Sequence, residues 1–437
     1  MSKKLFIIAG IILAVCALVA GINIVSKRRP TALPKTNERI ASNAGGASTD
    51  EQIQKAEALI QRAPDKPEGY NLLAAAYLQK ARETGDFGFN ARAEAALNRS
   101  LAIAADDFDA LRLQATLLLA YHRFQDALEV ARRAQALRPD NADVYGAMTD
   151  ALVELGDYQG AIAAAQKMVD LRPDTASYSR VSYLRELHGD TEGAIEAMRI
   201  AAKAADPRSP ESIAWCRTHL GLQLLNAGRR DEAEREFDEA LKVFPNYFVA
   251  LAAKAHARLS AGETENALEL YGRAQERVPL PDTIIARGDL LAQLGRADEA
   301  KREYELAEFI ERTGASASTY SRQLALFLAD HDLKLDEALT IARRERAARS
   351  DIYTCDALAW CLFKQGLLRE ANAAMDEALR LGTRDARLFY HAGMIADALG
   401  DRRRAQKYLQ LALQTDPSFN VLQADTARRM LKKEESA

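Results

Sequence analysis

At 437 residues the chain is longer than one ordinary hydrophobic core supports, so several domains or a repeat array are expected. Its 48% hydrophobic and 28% charged residues are those of a folded protein, and an aromatic share of only 7% favours helices over strands. The net charge of −3 is uneven: seven Lys/Arg against two acids give +5 over the first 50 residues and leave −8 on the rest, which lacks the basic balance that nucleic-acid binding requires.

In chain order, Phe6 to Val25 is the first element, an uncharged apolar run long enough to cross a bilayer core as a helix. A cleaved signal peptide is the alternative, with Val15-Cys16-Ala17 or Val19-Ala20-Gly21 as the cleavage site; Val15 is too bulky for a lipoprotein box. Hydrophobicity that runs past both sites into Lys27, Arg28 and Arg29 predicts an uncleaved, single-pass anchor. Those basic residues would hold the body in the cytoplasm. A short basic start followed at once by an apolar core is instead how exported proteins begin, and an extracytoplasmic body is expected. Gly10, Ala14, Ala17 and Gly21 share one helix face, a route to homo-oligomers. Residues 26–50 read as a flexible tether, and Ser48, Thr49 or Asp50 caps a helix starting near Glu51.

From residue 51 onward, short amphipathic helices alternate with turn signals. One unit recurs: residues 142–173, 214–245 and 248–279 each hold two helices joined at a glycine and end in a proline, Pro173, Pro245 and Pro279. Between Trp215 and Pro245 the recurring positions are Leu220, Gly221, Leu224, Ala233, Phe237 and Ala240. These residues resemble the tetratricopeptide repeat, a 34-residue helix–turn–helix unit. Ten units follow, starting near Pro67, Phe108, Ala142, Thr175, Ala214, Phe248, Pro281, Ala317, Ile352 and Ala386. The fold class is therefore all-α: a right-handed α-solenoid preceded by a transmembrane helix. Small residues recur where paired helices touch, such as Ala115 with Ala127, and Gly393 with Ala405. Residues 51–63 read as a half-unit that starts the stack, and 418–433 as a polar capping helix at its far end.

No phosphate loop, HExxH or GxSxG occurs, and the six histidines are scattered. Because a solenoid holds distant units apart, a composite catalytic site is not expected. His331-Asp332 reads as a solvated turn, and the glutamates Glu232, Glu234, Glu236 and Glu239 as a charged outer face. Cys16, Cys216, Cys355 and Cys361 form no CxxC, so buried, inert thiols are expected. The chain is predicted to be no enzyme and to need no cofactor or metal.

The family resemblance implies instead a concave groove for proteins or peptides, reached by positions 2, 5, 6, 9, 12 and 13 of each unit. Those positions include Arg180, Tyr183, Trp215, His219 and His256. Further along they include Arg322, Tyr353, Trp360, Phe363, Arg387, Tyr390 and His391. Aromatic and Arg side chains are the usual anchors of such surfaces. Family members that clamp a C-terminal carboxylate carry Lys at position 5 and Asn at position 9. The pairs here are Asn71/Ala75, Gly146/Asp150, Ser179/Tyr183 and Thr218/Leu222, so no such clamp is expected. The resulting expectation is a membrane-anchored adaptor assisting a larger envelope complex, with a self-assembling envelope spacer as the alternative.

Overall fold

The computed structural model describes residues 48–313 and 321–435, which hold 22 helices and no strand. The segment from Phe6 to Val25, with its expected anchor and small-residue face, lies outside the described residues. Among those described, no helix is long and apolar enough to cross a membrane.

Helix α1 (Thr49–Arg62) starts at Ser48, whose hydroxyl accepts from the Glu51 amide while Glu51 accepts from the Ser48 amide. Ten antiparallel pairs follow. They are α2/α3 (Pro67–Thr84, Gly88–Ile103), α4/α5 (Phe108–Ala120, Phe124–Leu137) and α6/α7 (Ala142–Glu154, Tyr158–Leu171). Then come α8/α9 (Thr175–Leu187, Thr191–Ala204), α10/α11 (Pro210–Asn226, Arg230–Val243) and α12/α13 (Phe248–Ser260, Thr264–Arg277). The last four are α14/α15 (Pro281–Gln293, Ala297–Thr313), α16/α17 (Arg322–Asp330, Leu335–Ala348), α18/α19 (Ile352–Lys364, Leu368–Ala378) and α20/α21 (Ala386–Ala398, Arg402–Thr415). A final helix, α22, spans Val421–Glu435.

Eight first helices start at the residue the repeat register predicts. The fifth begins earlier, at Pro210, because proline is pre-organised for the first turn. The eighth expected start, Ala317, lies outside the described residues. Side-chain caps from Asp107, Asn141, Asp174, Asp351 and Asp385 fix several of these starts. Within pairs, small residues let the helices close up: Gly221 lies under the Phe237 ring, and Ala115, Ala127 and Ala233 are fully buried. Cys216, Cys355 and Cys361 are buried and free, and burial pushes the Cys216 thiol up to about 12.

Distant units are not held apart, contrary to the expectation. The stack coils tightly enough for one turn to rest on the next. The Tyr158 hydroxyl accepts from the Ile352 amide at 2.9 Å, and Arg349 Nη1 meets Glu154 Oε2 at 2.8 Å. Thr383 donates to the Leu187 carbonyl. These partners are 194–196 residues apart. Gly156, at φ +79°, lies so near this seam that a Cβ there would sit 2.6 Å from the Ser350 carbonyl oxygen. One apolar core accordingly joins side chains of residues 108–187 with those of 324–427.

Candidate functional site

The first helices of the pairs face a concave channel with two adjoining cavities, of about 620 and about 750 Å³. The smaller lies among α4, α6, α8 and α16, beside Arg180, Asp150, Glu154 and Arg322. The larger lies among α12, α14, α16, α18 and α20, beside His256, Asp289, Tyr353 and Arg387. Tyr183, Asp282 and Arg322 line both.

The structure therefore brings together six residues of the sequence-derived groove set: Arg180, Tyr183, His256, Arg322, Tyr353 and Arg387. Arg180 grips Asp150 with both arms of its fork, at 2.8 and 2.6 Å, and lies close over the bare Cα of Gly146. Arg322 Nη1 donates to Asp351 Oδ1 at 2.9 Å, and its guanidinium lies 5.8 Å from the Tyr353 ring centroid. His256 Nε2 bonds Asp416 Oδ2 at 2.7 Å.

Trp360, Phe363, Tyr390 and His391 form a separate pile outside the cavity walls. Trp360 stacks on Phe363 at 4.9 Å and on His391 at 4.0 Å, while His391 Nδ1 bonds Asp356 Oδ1 at 2.8 Å. Trp360, Tyr390 and His391 are buried. The Trp215 and His219 rings meet at a tilt, 4.1 Å apart, half-buried against the α10–α13 side of the core and away from both cavities.

The turn at His331-Asp332 is solvated at Asp332, which is exposed, but not at His331. The His331 ring is held between Tyr304 of the adjoining unit and Phe327 of its own helix, at 4.3 and 4.9 Å. Its Nε2 lies 3.1 Å from Asp289 Oδ1 without hydrogen-bond alignment, and burial holds its pKa down. The outer glutamates are ion-paired across helices, Glu236 with Arg217 and Glu234 with Arg258.

The C-terminal helix departs most from the sequence reading. It is not only an end cap: α22 turns inward and packs on α14, across the concave side. Asn420 Nδ2 donates to Asp289 Oδ2 and Gln423 Nε2 to Asp330 Oδ1, both at 2.7 Å, and Gln293 Nε2 donates to Asp425 Oδ2 at 2.8 Å. Phe419 sits 5.6 Å from Tyr390. Asp289 also accepts from the Tyr304 hydroxyl at 2.8 Å. Burial, with Asp330 nearby, pushes the Asp289 carboxyl up to about 7, although the Tyr304 and Asn420 hydrogen bonds oppose the shift.

Among the acids, Asp356 is also a groove position by the repeat register, position 5 of the unit at Ile352. Asp282 and Asp289 occupy positions 2 and 9 of the unit at Pro281, so the same rule reaches them. Nine carboxylates line the two cavities against five arginines, an excess of four. Among the described residues, no group of three or more His, Cys, Asp or Glu is arranged to hold a metal ion.

Models of the tetratricopeptide repeat match residues 118–182, 219–281 and 386–419. The chain is 35% identical to protein FlbA of Caulobacter vibrioides over 126 residues, 28% of this chain and 20% of that protein. It is 28% identical over 159 residues to the TPR repeat-containing protein PA4667 of Pseudomonas aeruginosa, 36% of this chain and 27% of that protein. Both alignments thus span under a third of the relative. Among solved structures, the human IFIT1 dimer with m7Gppp-AAAA covers 76% of this chain and 77% of its own, at 17% identity and a TM-score of 0.49.

Proposed function

The chain is a tetratricopeptide-repeat protein, and we propose that its concave channel receives a basic segment of a partner protein. Repeats of this kind imply an interaction scaffold. The observation that supports the finer reading is the excess of carboxylates around the two cavities, with Arg322 and Tyr353 beside them. Such walls attract cationic peptides and repel a phosphate backbone. The body is proposed to be non-catalytic: Asp150, Asp356 and Asp416 each already bind an internal cation or imidazole. Tethering through residues 6–25, with the body outside the cytoplasm and serving an envelope complex, completes the proposal.

A photo-crosslinking residue at Tyr353, compared with one at the outward-facing Glu269, tests the reading in cells. Partner adducts are expected at Tyr353, and fewer of them when Asp282 and Asp356 are changed to Asn. Equal adducts from both positions, or yields indifferent to the lost carboxylates, would sink it.

A further inference from the structure

We propose that α22 is an internal ligand of the concave face. The partner element that fits the α14–α16–α20 part of this face is then a short basic helix that displaces it. This rests on the channel-binding reading and names the partner's chemistry.

The register of the stack would lay an eleventh first helix alongside α20. Helix α22 keeps the contact with α21 that such a helix makes, and also crosses to α14. Its attachment is of the kind a ligand makes. The apolar seam has Val421, Ala424 and Ala427 as its buried side chains, with Leu422, Met430 and Leu431 half-buried beside them. Specific contact comes from two carboxamides aimed at two channel carboxylates, Asn420 at Asp289 and Gln423 at Asp330. Hydrogen bonds to a buried carboxylate are strong and directional, so they fix register more than an apolar seam does.

The fit is incomplete. The Gln423 Oε1 atom is buried without a donor, which opposes docking and keeps the helix replaceable. Beyond the seam, Arg428, Arg429, Lys432 and Lys433 of α22 are exposed and outside the larger cavity, whose lining holds six carboxylates and three arginines. A competing segment would need a carboxamide at its N-terminal cap, small residues at i+4 and i+7, and basic residues after them.

Asn420 separates docking from folding. Its Oδ1 caps α22, accepting from the Leu422 and Gln423 amides at 3.0 Å, while its Nδ2 makes the docking bond. Asn420→Asp keeps the cap, because Asp is an equally good N-cap residue, but places a carboxylate against Asp289. In the full chain at pH 8, hydrogen exchange over residues 424–433 is expected to rise at least tenfold, with α14 and α20 unchanged and helicity retained by circular dichroism. A fluorescein-labelled peptide of residues 419–433 is expected to bind this variant at least tenfold more tightly than the unchanged chain. Gln423→Ala should act in the same direction through the other docking bond. Unaltered exchange in both variants would overturn the proposal, as would equal peptide binding to all three chains. Persisting Tyr353 adducts beside those negative results would remove this inference alone; loss of the adducts would remove the channel reading as well.

Discussion

Asp289 shows how one side chain can serve docking at the expense of stability. Its carboxyl is raised from 3.8 to about 7, so the folded chain binds that proton more tightly than the unfolded chain. The resulting stabilisation is fully present below about pH 4 and is lost as pH rises towards 7. Asp289→Asn removes the titration, and thermal melts should show its advantage over the unchanged chain growing from pH 5 to pH 8, to a few degrees. A constant difference across that range would contradict the assignment. Such a residue was only half legible in the sequence. Its groove position follows from the repeat register, but its burial depends on Tyr304 of the paired helix, His331 of the next unit and Asn420 of the distant C-terminal segment.

Helix positions were the most legible feature, because each is signalled locally. Asp, Asn or Pro starts a helix, a glycine turns the pair, and alanines mark the close contacts. What α22 packs against was not legible, since its polar sequence suits an exposed end as well as an acidic channel. The junction between α17 and α18 carries a second non-local device. Arg349 is 6% exposed and joins Glu345 at 2.6 Å to Glu154 of the preceding turn at 2.8 Å. Removing one partner strands buried charge, so Arg349→Ala should cost about 3–5 kcal/mol in urea unfolding. The exposed Arg343, 3.8 Å from Glu370, should cost roughly 0.5 kcal/mol or less when changed to Ala. Similar losses at the two positions would deny the latch.

For the whole molecule, stacking of successive turns alters what a repeat array ordinarily does. Stability in an open array is carried by nearest neighbours, whereas here residues 194–196 apart share hydrogen bonds, one of them between backbones, and a core. Two glycines isolate that contribution. Gly262, at φ +81°, has nothing within 4 Å of an added Cβ, so Gly262→Ala should cost about 1–2 kcal/mol for the left-handed backbone alone. Gly156 has the same conformation but faces the Ser350 carbonyl, and Gly156→Ala should cost at least 1 kcal/mol more, as an overpacked contact does. Equal losses in chemical denaturation would mean that the seam adds nothing. The seam was illegible in the sequence because each glycine also fits its local turn, and curvature accumulates from small rotations that no single unit encodes.

The spacing across that seam also fixes a number. Gly156 meets Ser350, and Tyr158 meets Ile352, only because a set count of units, about six, intervenes. Adding or deleting one unit between them would rotate the later turn out of phase, like a gear advanced by one tooth. Insertions that an open array tolerates at any joint are therefore confined here to parts of the chain with no turn above or below them.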